Sequence, residues 1–163
     1  MTTAIRDATA TDWPAIWPIV REVVVAADTF AYDPGMTEEQ GRALWMVASP
    51  GRTTVAVDGA VSGTANMYAN RAGPGAHVAS ASFMVASAAR GRGVGRALVE
   101  DALSWARARG FSAMQFNAVA ETNAAAVALY RSLGFSIVGT VPEAFDHPEH
   151  GLVGLHIMHL KLR

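Results

Sequence analysis

The chain switches repeatedly between two hydrophobic periods, and the switches divide it into elements. Residues 2–6, Thr-Thr-Ala-Ile-Arg, suit a short opening strand. Thr11-Asp12 then precedes Trp13-Pro14, a helix start with proline in the first turn. Ile16, Ile19, Val20, Val23 and Val24 recur at helical spacing on to about Ala27. A polar and aromatic connection runs from Asp28 to Met36. Thr37 with Gln40 three residues on has the spacing of a capping box, and it opens a second helix that carries through Leu44, Trp45 and Val47 to the stop at Ser49-Pro50-Gly51.

From there the period falls to two. Thr53–Val57 and Ala60–Tyr68 are β-prone runs joined by Asp58-Gly59, a strong hairpin signal that predicts an antiparallel pair. After Gly73-Pro74-Gly75, residues 76–85 read as another strand. Helical spacing returns over 94–109, with Val94, Leu98, Ala102 and Trp105 as an apolar stripe, Glu100, Asp101 and Arg107 outside it, and Gly110 as the stop. Residues 112–119 form a strand parallel to 76–85 through a right-handed crossover. A helix over 123–132 closes at Gly134, and 135–141 with 152–162 make a last antiparallel pair. The order is β-α-α-β-β-β-α-β-α-β-β. No repeat or low-complexity linker interrupts it, which predicts a single domain over residues 1–163.

Composition narrows the class. With 51% hydrophobic and 17% charged residues the chain reads as a soluble globular protein, and it has no uninterrupted apolar run long enough to cross a membrane. Its start lacks a basic segment followed by an apolar one, so a cytoplasmic location is expected. Zero cysteines removes disulfides, thiolate metal sites and cysteine nucleophiles together. A net charge of −1 gives no global field to attract nucleic acid. His156 and His159 lie an odd number apart in a predicted strand and so face opposite sides, while His147-Pro-Glu-His150 reads as a solvated loop. No metal is expected.

The arginines concentrate instead around one loop. Between Val85 and Ala97 stand Gly91, Gly93 and Gly95, with Arg90, Arg92 and Arg96 among them. Glycines there allow a tight turn and close approach of a ligand to the backbone. A helix beginning near Val94 points its free N–H groups and positive dipole end at the same place, a setting suited to phosphate oxygens. A dinucleotide fingerprint fails, because Arg96 and Leu98 stand where its last glycine is needed. A P-loop fails too, since Lys161 is the only lysine. What fits is Arg90-x-x-Gly93-x-Gly95 after a strand and before a helix. This resembles the pyrophosphate-binding motif of the GNAT (Gcn5-related) N-acetyltransferases, which bind acetyl-CoA. A second stretch, Asn123-Ala-Ala-Ala-Val-Ala-Leu-Tyr130-Arg-Ser-Leu-Gly134-Phe135, is similar to the N-x-x-A-x-x-L-Y-x-x-x-G-F signature of the same family.

The resemblance implies an α/β (α+β) GNAT fold, a mixed central sheet of six or seven strands with helices on both faces. It implies an acetyl-CoA-dependent N-acetyltransferase acting on a small-molecule amine by direct attack through a tetrahedral intermediate. Phe83, Met84 and Val85 would offer backbone groups to the cofactor, Arg90, Gly91, Arg92, Gly93, Val94, Gly95 and Arg96 would hold its pyrophosphate, and Asn123, Ala126 and Tyr130 would flank its arm. Tyr130, a phenol protonated at neutral pH, is the expected general acid; the plainer reading makes it a core aromatic. Asn123 either caps its helix or bonds the pantetheine. No acid lies in 76–85, where many members carry a glutamate, and Ser80 stands near that place. Glu121 acting through water is then the expected base, with His77, Asp33 and Glu38 as alternatives. Phe30, Tyr32, Glu38, Ser80 and Asn117 are the expected acceptor-site residues, while Trp45 is expected to pack the second helix on the sheet. Asn117-x-x-x-Glu121-x-Asn123 and the His77-Val-Ala-Ser run resemble the subgroup that acetylates proline analogues and other small amino-acid-like amines. A homodimer through the last strand is compatible with the resemblance. A non-catalytic acyl-CoA-binding sensor and acetylation of a protein amine remain the alternatives.

Overall fold

The computed structural model describes residues 2–163. Seven strands form one sheet: β1 (Ala4–Asp7), β2 (Arg52–Asp58), β3 (Ala60–Ala69), β4 (Val78–Val85), β5 (Ala113–Ala120), β6 (Ser136–His147) and β7 (Gly151–Lys161). Their order is β1-β2-β3-β4-β5-β7-β6, and every neighbouring pair is antiparallel except β4 with β5. Four α-helices cover the sheet: α1 (Trp13–Ala26), α2 (Glu38–Trp45), α3 (Val94–Ala108) and α4 (Ala124–Ser132). None is long and apolar enough to cross a membrane. Element order and fold class agree with the sequence reading.

Two apolar layers hold the helices on opposite faces. On one, Ile16, Val20 and Val24 of α1 and Trp45 of α2 pack with Val55 and Met84. On the other, Val94, Leu98 and Ala102 of α3 pack on Met67, Ala79 and Met114, with Val127, Leu129 and Tyr130 of α4 joining them. Gly63 on β3 permits the close approach of α3, since a Cβ there would come within 2.9 Å of Val94 and 3.1 Å of Leu98.

Two details depart from the predicted boundaries. Helix α2 stops at Trp45 rather than Val47, because the Trp45 carbonyl is taken by the hydroxyl of Thr53 (3.1 Å) and the amide of Asn66 (3.2 Å). Trp45 itself is fully buried and donates its indole N–H to Thr64, in keeping with a packing role. Strand β6 continues six residues past Val141 to His147. Its register slips between Val141 and Phe145, where Glu143 has φ of +52°, so the strand passes Pro142 as a bulge instead of ending. Being the edge strand, β6 can carry a proline without breaking a central ladder.

Candidate active site

Among the described residues the only parallel strand pair is also the shortest. Strands β4 and β5 meet at Val78–Ala113 and Ala79–Met114, then part. Beyond that point β4 is paired to β3 alone and β5 to β7 alone. Along β4 the backbone alternates: the Val78 carbonyl accepts from Asn70 and the Ala86 amide donates to Ser62, both on the β3 side. Period two therefore turns the N–H groups of Phe83 and Val85 toward the gap and that of Met84 into the β3 ladder.

The gap is a cleft of about 630 Å³. Its far wall is β5 from Ala118 to Ala120 and the first turns of α4; its near wall is Phe83 to Val85. At one end lies the glycine loop. Gly91 and Gly93 have φ of +75° and +81°, values that side chains rarely adopt, and a Cβ on either would meet no protein atom within 4 Å. The open side of both residues is thus free for a ligand. Gly93 caps α3, whose first internal bond runs from Ala97 N–H to the Gly93 carbonyl. The amides of Val94, Gly95 and Arg96 have no partner within the helix and sit at the cleft, as an anion site requires. Arg90 and Arg96 line the same end; Arg96 also bonds Ser132 at 2.7 Å and Glu100 at 3.4 Å.

Tyr130 stands in the cleft wall among aromatic groups. Its ring packs on Phe116 (centroids 4.5 Å apart), Phe135 (5.9 Å) and Phe83 (6.3 Å), yet the residue lines the cleft and is not fully buried. Burial of the phenol pushes its pKa up, so the group stays protonated through the neutral range. Core packing and access to the cleft, alternatives in the sequence, coexist in the structure. Asn123 caps α4 by accepting from the Ala126 amide at 3.3 Å and lines the cleft with it. The capping oxygen is engaged while its two amide hydrogens stay available.

Of the thirteen residues expected to hold the cofactor, Arg92 alone is absent from the lining. It reaches away to pair with Asp58 at 2.9 Å. Met84 lies at the cleft, but its side chain is buried against α1 and its amide is in the β3 ladder, so it offers less than Phe83 and Val85.

The expected acceptor and base residues are more scattered. Phe30 lines the cleft, and Tyr32 forms with it a second recess of about 230 Å³ against Ala144, Phe145 and Asp146 of β6. Burial and the nearby Tyr68 phenol raise the pKa of Tyr32. Glu38 instead accepts from the Trp13 indole at 3.1 Å, tying α2 to α1. Ser80 is 3% exposed and lies off the cleft lining. Asn117 is exposed and bonded to Asn70 at 2.7 Å and to Gln115 at 3.1 Å. Glu121 takes the Gly154 amide at 2.6 Å and so pins β7 to the end of β5, outside the lining. His77 is exposed and also outside it.

The structure adds residues that the sequence reading missed. Asp28 and Thr29 from the α1–α2 connection, and His147 from the end of β6, line the cleft. His147 is 9% exposed rather than solvated, and its Nδ1 accepts from the amides of Glu149 and His150. Phe145 and His147 are both buried, two residues apart, so extending the period-two pattern past Pro142 would have found the histidine.

Known proteins bear on this geometry. A curated relative, Protein SPT10 of Saccharomyces cerevisiae, is 33% identical over 81 residues, 47% of this chain; the match spans 13% of the length of that relative. Among solved structures, a GCN5-related N-acetyltransferase from Kribbella flavida is 64% identical, covering 98% of this chain and 97% of its own, with a TM-score of 0.95. A ribosomal-protein-alanine N-acetyltransferase from Brucella melitensis is 29% identical (97% and 99% covered, TM-score 0.84). A GNAT superfamily phosphinothricin acetyltransferase from Sinorhizobium meliloti, solved in complex with acetyl-CoA, is 28% identical (99% and 89% covered, TM-score 0.85). The family model for the acetyltransferase (GNAT) family matches residues 4–135, from the first strand through both motifs to Phe135, and the chain belongs to that family of acetyl-CoA-dependent N-acetyltransferases.

Proposed function

We propose that the chain moves the acetyl group of acetyl-CoA to the amine of a small molecule, by direct attack in the cleft between β4 and β5. The observation that carries this reading is the parting of the two parallel strands after two residue pairs, beside a glycine loop whose open side faces the same space. Amides at Gly91–Arg96 and the Arg90 and Arg96 guanidiniums would hold the pyrophosphate. When bound, acetyl-CoA supplies the activated acyl carbon. The N–H groups of Phe83 and Val85 suit the oxygen of that carbonyl as it gains charge, because both are already fixed in the strand and need no reorganisation. Tyr130, kept protonated by its aromatic surroundings, would give its proton to the departing sulfur.

Support for a small acceptor comes from the recess beside the cleft. At about 230 Å³, walled by Phe30, Tyr32 and Phe145, it suits a compact molecule better than an extended peptide. The phosphinothricin acetyltransferase neighbour points the same way, toward an amino acid or analogue. The last strand, expected from the sequence to carry a homodimer, is β7, which is paired on both sides by β5 and β6 and has no free edge; a homodimer would instead use the edge strand β6, where Val138 is 67% and Val141 48% exposed.

Calorimetry with coenzyme A, followed by release of free thiol from acetyl-CoA with a panel of amino acids and polyamines, tests the proposal; the absence of protein cysteines keeps the thiol readout clean. Binding with turnover on one of these amines is expected. A second reading, an acyl-CoA sensor, draws on the lack of any carboxylate in β4 and predicts binding without thiol release. Turnover only on a protein N-terminus would instead match the Brucella neighbour and overturn the small-acceptor assignment.

A further inference from the structure

The cleft holds one carboxylate and one imidazole, and their hydrogen bonds decide which can accept a proton. The imidazole is His147. Its Nδ1 accepts from the backbone N–H of Glu149 at 3.1 Å and of His150 at 3.3 Å. A ring nitrogen that accepts carries no hydrogen, so the neutral ring bears its proton on Nε2 and is a donor. Such a ring has no free lone pair with which to act as a base.

The carboxylate is Asp28, the sole acidic residue among those lining the cleft. It follows Ala27, whose φ of +52° ends α1 in a left-handed cap. Thr29 and Phe30 line the cleft beside it, and Phe30 continues into the second recess, which ties Asp28 in sequence to the recess assigned to the acceptor. The other titratable lining groups are Arg90, Arg96 and Tyr130, two permanent cations and a phenol that burial keeps neutral. Every other carboxylate considered for the role is committed elsewhere or lies off the lining: Glu121 to the Gly154 amide, Glu38 to the Trp13 indole, Asp33 to the Gly35 amide. Among the described residues the Asp28 side chain has no hydrogen-bond or ion-pair partner.

We propose that Asp28 receives the acceptor's ammonium group and takes its proton. The assignment rests on the acetyl transfer proposed above. The proton passes from R–NH3+ to the Asp28 carboxylate, and the freed lone pair forms the C–N bond at the thioester carbon. The C–S bond breaks with its electron pair on sulfur. Tyr130 protonates that sulfur, and its oxygen regains a proton from the nitrogen as the amide forms. Asp28 then releases the net proton to solvent.

Asp28→Asn and Asp28→Glu, with the unaltered chain beside them, test this using acetyl-CoA and the amine of the panel that is turned over fastest. Asp28→Asn is expected to lose about 100-fold or more in kcat/KM for the amine. Asp28→Glu should keep at least about a tenth of the activity, since it restores a carboxylate. Coenzyme A affinity by calorimetry and the thermal midpoint should not move in either variant, which a merely structural role would not allow. Activity of Asp28→Asn within about threefold of the unaltered chain, equal losses in the two variants, or a parallel loss of coenzyme A affinity would each overturn the assignment. Failure of the unaltered chain to bind coenzyme A would overturn the acetyl-transfer reading itself, and this assignment with it.

Discussion

The two ends of the cleft are built from different material. At the glycine loop the ligand-facing groups are mostly backbone amides, placed by two glycines at positive φ and by the first turn of α3. At the end we propose for the acceptor they are side chains, Asp28, Phe30 and His147, brought to the cleft by the α1–α2 connection and by the end of β6. A backbone site tolerates almost any side chain that keeps its conformation, whereas a side-chain site changes with each substitution. The first end is thus suited to one constant ligand, and the second to an acceptor that differs from enzyme to enzyme.

The largest test of that contrast falls at the midpoint, where Tyr130 serves both ends. Tyr130→Phe keeps the ring against Phe116 and Phe135 and removes only the hydroxyl. We expect kcat to fall by about 100- to 10,000-fold with coenzyme A affinity unchanged, read by steady-state kinetics and calorimetry. Activity equal to that of the unaltered chain would leave Tyr130 as packing alone. Next is Gly93→Val. Forcing an L-residue into a left-handed conformation costs about 1–2 kcal/mol, and losing a charge-assisted bond to phosphate costs about 1.5–3 kcal/mol. At about 1.4 kcal/mol per tenfold, coenzyme A affinity should drop by roughly 100-fold or more while circular dichroism shows the fold retained. Unchanged affinity would mean that the loop backbone does not carry the ligand.

This division also explains what could be read from sequence. Glycines at 91 and 93 are spaced by the backbone geometry itself, so the pattern Arg90-x-x-Gly93-x-Gly95 reports its own function within six residues. The order of elements and the helix faces were legible for a similar reason, since Val94, Leu98, Ala102 and Trp105 show their burial in their period. Asp28 and His147 lie 119 positions apart and come to line one cleft only because β6 runs on through a bulge at Pro142 and α1 ends in a left-handed residue. Nothing local marks either. Glu121, Glu38 and Asn117 have the right chemistry near the right motifs, but each is bonded to a neighbour that sequence cannot place: Gly154, Trp13 and Asn70.

A smaller effect should follow at Asn123, which belongs to both accounts. Its side chain accepts from the Ala126 amide at 3.3 Å, so Asn123→Ala removes a cap worth about 1 kcal/mol. In a chain of this size that lowers the thermal midpoint by about 2–4 °C. Coenzyme A affinity should change by less than about threefold, since the capping oxygen is the engaged atom. A tenfold loss measured by calorimetry would show that the free amide hydrogens also hold the ligand.

The smallest expected effect is the most direct check on whether backbone or charge dominates the glycine loop. Arg92 lies between Gly91 and Gly93, yet it pairs with Asp58 at 2.9 Å and does not line the cleft. Its side chain is about half exposed, and ion pairs of that kind contribute about 0.2–1 kcal/mol. At 0.15 M salt a charge farther than about 8 Å from the ligand is largely screened. Arg92→Ala should therefore leave coenzyme A affinity within about twofold and lower stability by less than about 1 kcal/mol in denaturant titration. A tenfold loss of affinity that shrinks with added salt would mean that Arg92 leaves Asp58 for the phosphates, and the glycine loop would then depend on its arginines as the acceptor end depends on Asp28.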